Sequence, residues 1–342
     1  MKDIIIAGAG WYGLHVAYKY QYKYNIIILE KNPEIFMESS YKNQNRLHLG
    51  FHYPRSYKTR KMCKNGYDLF LKDYMEITDE IDKNYYCISN ESLLDYETYI
   101  HIFQQEEYNF DIVENNINLK NINGNLIKVN EMLINHIRAK KFFYDNLKNV
   151  KIICNYNVSN VCQDDFFVYI DNKFKCDLFL DCTYGKLNIN NTTNNYLYEI
   201  TVSHVYKKIK EYDVDCITIM DGKLPSLFIR EKDKNLYSLT HVEYTPLFMS
   251  HNKNEIMQYE PQKERIEISK LQMEMEIKKY IHNFDEIFIY DSFYIGYKIK
   301  KNDNTDSRTC NITKNGNIVS VNCGKITGIY DFENFLINNN LI

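Results

Sequence analysis

Residues 3–31, DIIIAGAGWYGLHVAYKYQYKYNIIILEK, form one complete nucleotide-binding pattern, and they constrain the fold more than any other stretch. Asp3–Ala7 reads as an apolar strand, Gly8, Gly10 and Gly13 supply G-x-G-x-x-G, and a helix follows from Trp11 to about Lys23. A second apolar strand, Asn25–Leu29, ends at Glu30, followed by Lys31. Strand, glycine turn, helix and a second strand ending in an acid about twenty residues on make the dinucleotide fingerprint specific. The chain has only 12 Gly in 342 residues, so three within six positions are not background. Such a loop brings a pyrophosphate to a helix N-terminus, where unpaired N–H groups and the dipole favour an anion. Glu30 would accept from ribose hydroxyls and would repel a 2′-phosphate, which argues against an NADP-type ligand. Trp11 and Tyr12 sit inside the loop. The Trp11 ring packs either over the dinucleotide or against the neighbouring loop.

The remaining composition excludes several classes. A net charge of −3 offers no electrostatic case for nucleic acid or an anionic membrane surface. The nine Cys occur singly, with no C-x-x-C, which reads as reduced thiols rather than a disulfide framework or a metal site. The first strand begins almost at the N-terminus and no apolar run approaches 18 residues. The expectation is a cytoplasmic chain with no stable membrane insertion. The abundance of Asn, Lys, Ile and Tyr is read as codon bias, so clusters of Tyr or Lys carry little weight.

Beyond Glu30 lies a polar loop, Lys31–Tyr57, holding Asn45, Arg46, His48, His52 and Tyr53. Periodicity predicts helices over Lys58–Tyr74, Asn130–Leu147 and Glu264–His282. Leu178–Leu180 followed by Asp181 and a small-residue turn to Gly185 reads as a buried parallel strand. Tyr196–Val205, Cys216–Met220, Ser226–Arg230 and Leu236–Val242 read as a separate antiparallel sheet, with Ile287–Lys300 a further strand. Asn317–Val321 is the last strand. Gly324-Lys325-Ile326-Thr327 links it to a final helix over about Tyr330–Asn338. The expected architecture is α/β with an α+β second domain. A discontinuous Rossmann-like domain (1–80, 129–190 and 301–342) carries an antiparallel-sheet substrate or cap domain (81–128 and 191–300).

Four segments resemble the FAD-dependent oxidoreductases of the D-amino-acid oxidase superfamily. They are IIIAGAGWYG through Glu30; NQNRLHLGFHYPRSYKTRKMCKNG (Asn43–Gly66); DLFLDCTYG (Asp177–Gly185); and SRTCNITKNGNIVSVNCGKIT (Ser307–Thr327). The second and fourth are similar to segments of 2-hydroxyglutarate and glycerol-3-phosphate oxidoreductases. The resemblance implies a glutathione-reductase-type FAD domain and an FAD cofactor. It implies hydride removal from a C–N or C–OH carbon of a small polar, anionic substrate to flavin N5, with oxygen or another electron acceptor as second partner. Gly8, Gly10, Trp11, Tyr12, Gly13, Glu30, Lys31, Asn45, Arg46, Gly185 and Gly324–Thr327 are then the cofactor-binding candidates. His48 is either the base or a residue positioning the flavin, and Arg308 either grips the substrate anion or is a solvated loop residue. His52, Tyr53 and Lys298 line the pocket. The family's Gly-x-Arg-Pro is here Gly296-Tyr297-Lys298-Ile299, with a point charge in place of a bidentate fork. A sugar mutase using the same cofactor, or an inactive dinucleotide binder, fits the same fingerprint.

Overall fold

The computed structural model describes residues 1–187, 196–301 and 308–342. Two sheets organise the chain. In the first, four parallel strands stand in the order Ile318–Asn322, Leu178–Asp181, Asp3–Ala7, Asn25–Leu29, and Val150–Ile153 extends them in the same direction. Asn311–Asn315 closes the other edge as an antiparallel strand. Ile4, Ile6, Ile28, Leu178 and Leu180 have no more than 1% of their surface exposed, as a sheet covered on both faces requires. The helices Trp11–Tyr20, Tyr57–Tyr74, His136–Asn146 and Gly328–Asn338 pack around one side of it.

The second sheet has nine strands. Tyr196–Lys208 is its longest inner strand, paired antiparallel along its whole length with Phe288–Lys301. Pro246–Ser250, Leu236–His241, Pro225–Glu231 and Cys216–Met220 continue it, and Cys216–Met220 joins Asn84–Ser89 in parallel. Ile122–Lys128 and Asp111–Val113 complete the far edge. Residues 84–128 and 196–301 thus share one sheet although some seventy residues of chain separate them. The long helix Lys263–Lys278 covers this sheet, burying Ile266, Ser269, Met273 and Ile277.

Between the two sheets lies a small three-stranded one, Arg46–Leu47, Met132–Ile134 and Thr78–Asp79. It corrects the expected helix over Asn130–Leu147. Met132-Leu133-Ile134 is a fully buried apolar run and forms a strand. The helix starts only at His136, with Asn135, not Asn130, accepting from the Arg138 N–H as its cap. Other elements match within a few residues. The first helix ends at Tyr20, and the sequence reading contained neither the strand Pro246–Ser250 nor Asn311–Asn315. Those two are short strands of mixed polarity, which carry no clear alternation. Ser307 and most of the loop Lys301–Ser307 lie outside the described residues.

Candidate functional site

The glycine loop is shaped by close backbone approach. Gly8 has φ +102°, and a Cβ there would lie 2.7 Å from the Cys182 carbonyl oxygen. The turn therefore presses on the end of the neighbouring strand, and only glycine combines that conformation with that contact. At Gly13 a Cβ would lie 2.2 Å from the Gly8 carbonyl oxygen and 3.0 Å from Ile6. The helix sits against the strand at a distance no side chain permits. Gly13→Ala is accordingly expected to lose bound cofactor and lower the midpoint of thermal unfolding by several degrees. A fully loaded, equally stable Gly13→Ala protein would contradict this packing.

At the start of that helix the Trp11 N–H donates to Ser40 Oγ (3.1 Å), and Leu14 N–H to Gly10 O. The N–H groups of Gly10 and Tyr12 meet no protein acceptor among the described residues. Glu30 stands at the other side of the turn, one carboxylate oxygen accepting from the Ala9 N–H (2.7 Å) and the other from Asn32. Two unpaired N–H groups at a helix N-terminus with an acid beside them suit a pyrophosphate and a ribose diol. Lys31 pairs with Glu38 at 3.0 Å, and Lys42 and Lys186 approach the same carboxylate. The cations around it hold the Glu38 carboxyl down, to about 2, against the burial that works to raise it.

Trp11 turns its ring into the core. Its ring is 6% exposed and packs edge-on to Phe36, Phe70, Tyr74 and Phe143 in the main core. Only its backbone belongs to the loop. Tyr12 instead reaches the C-terminal turn, its hydroxyl donating to Lys325 O at 2.6 Å. Gly185, at φ +74°, lies against Ile299 and Asn322, so the end of the central strand touches both the second sheet and the last strand.

Arg46 is the larger correction. Its guanidinium turns away from the glycine loop into the second sheet. There it donates to Tyr86 OH (3.0 Å), Thr218 Oγ1 (2.8 Å) and Ser226 Oγ (3.0 Å), and lies 4.1 Å over the Phe228 ring. Glu131, fully buried, balances it at 3.7 Å. Asn45, in the left-handed region at φ +55°, directs its side chain to His136. Arg46 thus ties its loop to the second sheet, and Asn45 ties it to the start of the helix His136–Asn146.

The remaining candidates do converge. The His48, His52 and Tyr53 rings lie within about 6 Å of one another, each keeps some accessible surface, and Lys325, Arg308 and Lys298 stand close enough to influence one another's charge, so the six form one cluster. Lys325 Nζ lies 4.6 Å over the Tyr53 ring. The Arg308 N–H donates to Thr59 Oγ1 on the helix that follows the His48 loop. Gly66 of that helix packs on Thr327, where a Cβ would meet Thr327 at 2.6 Å. Ile326 packs on the main core, and the carbonyls of Lys325, Ile326 and Thr327 accept the first N–H groups of the final helix. Gly324 is open to solvent beside Tyr184.

Charge is uneven in this cluster. The surrounding protein pushes Lys325 down to about 8, and the nearby Arg308 and Arg46 add to the shift although Cys63 and Glu131 oppose it. Lys298 is likewise lowered to about 8 by its surroundings, with Lys300, Lys325 and Arg308 contributing and Glu199 opposing. Such mutually opposed cations are relieved by a bound anion. Burial, followed by Lys325 and Arg46, keeps His48 well below the ordinary histidine value, so it is neutral near pH 7. Its Nδ1 lies 3.5 Å from Glu131 Oε1, long for a hydrogen bond. Buried His48 Nδ1, His52 Nδ1 and Asn322 Oδ1 lack hydrogen bonds among the described residues. Glu131 also accepts from the Leu49 N–H and the Tyr86 hydroxyl, each at 2.8 Å. Sequence reasoning missed it because the residue was assigned to the first turn of a helix that does not start there.

The donor set fits FAD: free N–H groups and an acid at the glycine turn of the first sheet, and a cluster of cations from both sheets beyond it. Comparison with known proteins agrees. Residues 3–93 match the model of the FAD dependent oxidoreductase (DAO) family. An FAD-dependent monooxygenase of Fusarium mangiferae is 28% identical over 330 residues, 95% of this chain and 87% of that protein. Among solved structures, L-alpha-glycerophosphate oxidase from Mycoplasma pneumoniae with FAD bound superposes with a TM-score of 0.78 at 17% identity, covering 98% of this chain and 94% of the other. Glycine oxidase from Bacillus cereus gives 0.72 at 13% identity, covering 100% and 97%. No helix among the described residues is long and apolar enough to cross a membrane. Fingerprint and family match agree that residues 3–93 are a segment of the FAD dependent oxidoreductase (DAO) type, the whole chain has the fold of the flavoprotein oxidases above, and FAD is its cofactor.

Proposed function

We propose that the chain removes a hydride from a carbon bearing an amine or hydroxyl group in a small anionic substrate. Bound FAD supplies the two-electron acceptor for such chemistry. Gly10, Tyr12 and Glu30 would hold its pyrophosphate and ribose, and the Gly324–Thr327 turn would approach its ring system. His48 takes the N–H or O–H proton. A proton on Nδ1, turned toward Glu131, leaves the Nε2 lone pair for the substrate, and the low proton affinity of His48 keeps that lone pair free at neutral pH. Arg308, Lys298 and Lys325 bind the anionic end and orient the reacting carbon.

The observation that supports this reading best is a histidine held neutral beside Lys325, which in turn lies near Lys298 and Arg308. The test is anaerobic bleaching of the yellow protein with panels of amino acids, 2-hydroxy acids, polyol phosphates and amino sugars. An anionic member should bleach it without added reductant. A preparation that stays colourless with added FAD rejects the reading.

One observation favours a second reading. The relative matched over nearly the whole chain is a monooxygenase. On that reading no substrate bleaches the flavin anaerobically, and turnover consumes both oxygen and an external reductant. Bleaching by substrate alone separates the two.

A further inference from the structure

Two thiols meet beside the Gly324 turn and take no part in the chemistry above. Strands Asn311–Asn315 and Ile318–Asn322 pair antiparallel, with Asn311 opposite Asn322. One residue beyond that pair stand Cys310 and Cys323. Opposed residues of such a ladder hold their Cα atoms roughly 4.5–5.5 Å apart, within the span of a disulfide. The sulfurs face one another. The point a Gly328 Cβ would occupy lies 2.5 Å from Cys323 Sγ and 2.6 Å from Cys310 Sγ. Their separation therefore cannot exceed those two distances combined. Gly328 leaves them that room, and any side chain there would part them.

Both thiols are free and both line a cleft with space for about 80 Å³ of solvent, together with Tyr196, Arg308, Asn311 and Asn322. A small oxidant can reach them. The Tyr12 hydroxyl lies 3.7 Å from Cys310 Sγ, and the Cys310 thiol donates to Gly328 O at 3.2 Å. Burial works to raise the Cys323 thiol, but the contacts with Cys310 and Tyr12 draw it below its ordinary value, its own S–H being within 3.6 Å of the Arg308 and Lys325 carbonyls. The same contact, with burial, pushes Cys310 well up. This asymmetry separates an attacking sulfur from a resolving one.

We propose that Cys310 and Cys323 are a modification site, closing reversibly to a disulfide with hydrogen peroxide as the oxidant. The Cys323 thiolate attacks one peroxide oxygen, the O–O bond breaks, and the departing hydroxide takes a proton to leave as water. The Cys310 sulfur then attacks the resulting sulfenic sulfur. The S–O bond breaks and the second water carries off the Cys310 proton. The two sulfurs lose two electrons and the peroxide gains them. The new bond ties the antiparallel edge strand to the residue preceding Gly324, and so stiffens the turn that carries Lys325.

The test uses the full FAD-loaded chain, treated with a few equivalents of hydrogen peroxide, alkylated in denaturant and mapped as peptides. The expected product is a 310–323 cross-linked peptide lighter by two hydrogens, with the other Cys residues alkylated and the link lost on treatment with dithiothreitol. Cys310→Ser should leave a sulfenic acid at Cys323 that a dimedone probe captures. Cys323→Ser should leave Cys310 unoxidised under the same dose. Alkylation of both residues after peroxide, or a link from Cys323 to Cys63 instead, overturns the proposal. An unreactive Cys323 in the Cys310→Ser chain overturns the assignment of the attacking sulfur. The readout is covalent, so a failure of the proposed substrate chemistry leaves it intact.

Discussion

Arg46→Ala is expected to cost about 3–5 kcal/mol of folding stability, because it leaves the buried Glu131 carboxylate without its counter-charge. It also strips donors from Tyr86, Thr218 and Ser226 and empties the space over Phe228. Arg46→Lys should recover little of this, since one ammonium cannot reach three hydroxyls and lie flat on a ring. Urea denaturation followed by tryptophan fluorescence measures it, with Trp11 the sole reporter and embedded in the aromatic core. The comparison belongs to apo and FAD-loaded protein alike, because a ligand bound only to the native state raises apparent stability. A variant within about 1 kcal/mol of the parent, well short of the cost of breaking a buried pair, would return Arg46 to the ligand side of the loop.

This residue marks where legibility ends. Asp3–Glu30 could be read almost residue by residue, because a buried parallel strand, a glycine turn and a capping acid are local signals with local causes. The strand Leu178–Asp181 was equally visible as an apolar run ending in an acid. The antiparallel edge strand Asn311–Asn315 and the strand Met132–Ile134 were not, since three to five residues carry too little pattern to outweigh their neighbours. Arg46 and His48 are two positions apart in the same loop, yet one side chain enters the second sheet and the other the cluster. Nothing local distinguishes them. The choice is made by Tyr86, Thr218, Ser226 and Glu131, which arrive from as far as 180 residues away. For the same reason the convergence of His48, Lys298, Arg308 and Lys325 is a property of the packing, while the candidate list itself came from motif and resemblance.

His48→Ala is expected to slow anaerobic bleaching by its substrate roughly 10²–10⁴-fold, the usual worth of a general base, with FAD content unchanged. The pH profile gives the sharper readout. Burial and the neighbouring Lys325 and Arg46 depress the proton affinity of His48, so its basic form persists well below the ordinary value and the acid limb of the rate should fall below pH ~6.5. Glu131→Gln removes a negative charge beside the ring, which favours the protonated imidazole. The acid limb should then move to still lower pH while the rate on the plateau drops. A purely structural role for Glu131 would lower the amount of folded protein and leave the limb where it was. On the alkaline side the sign reverses. Lys298 and Lys325 are both charged below about pH 8 and lose that charge above it. KM for an anionic substrate should rise as pH passes through 8, with kcat changing less. Because the bound anion itself favours the charged lysines, binding near that pH should take up protons, which calorimetry in buffers of different ionisation enthalpy detects. A KM that stays level between pH 7 and pH 9 would remove the lysines from the substrate site, whatever the fate of His48.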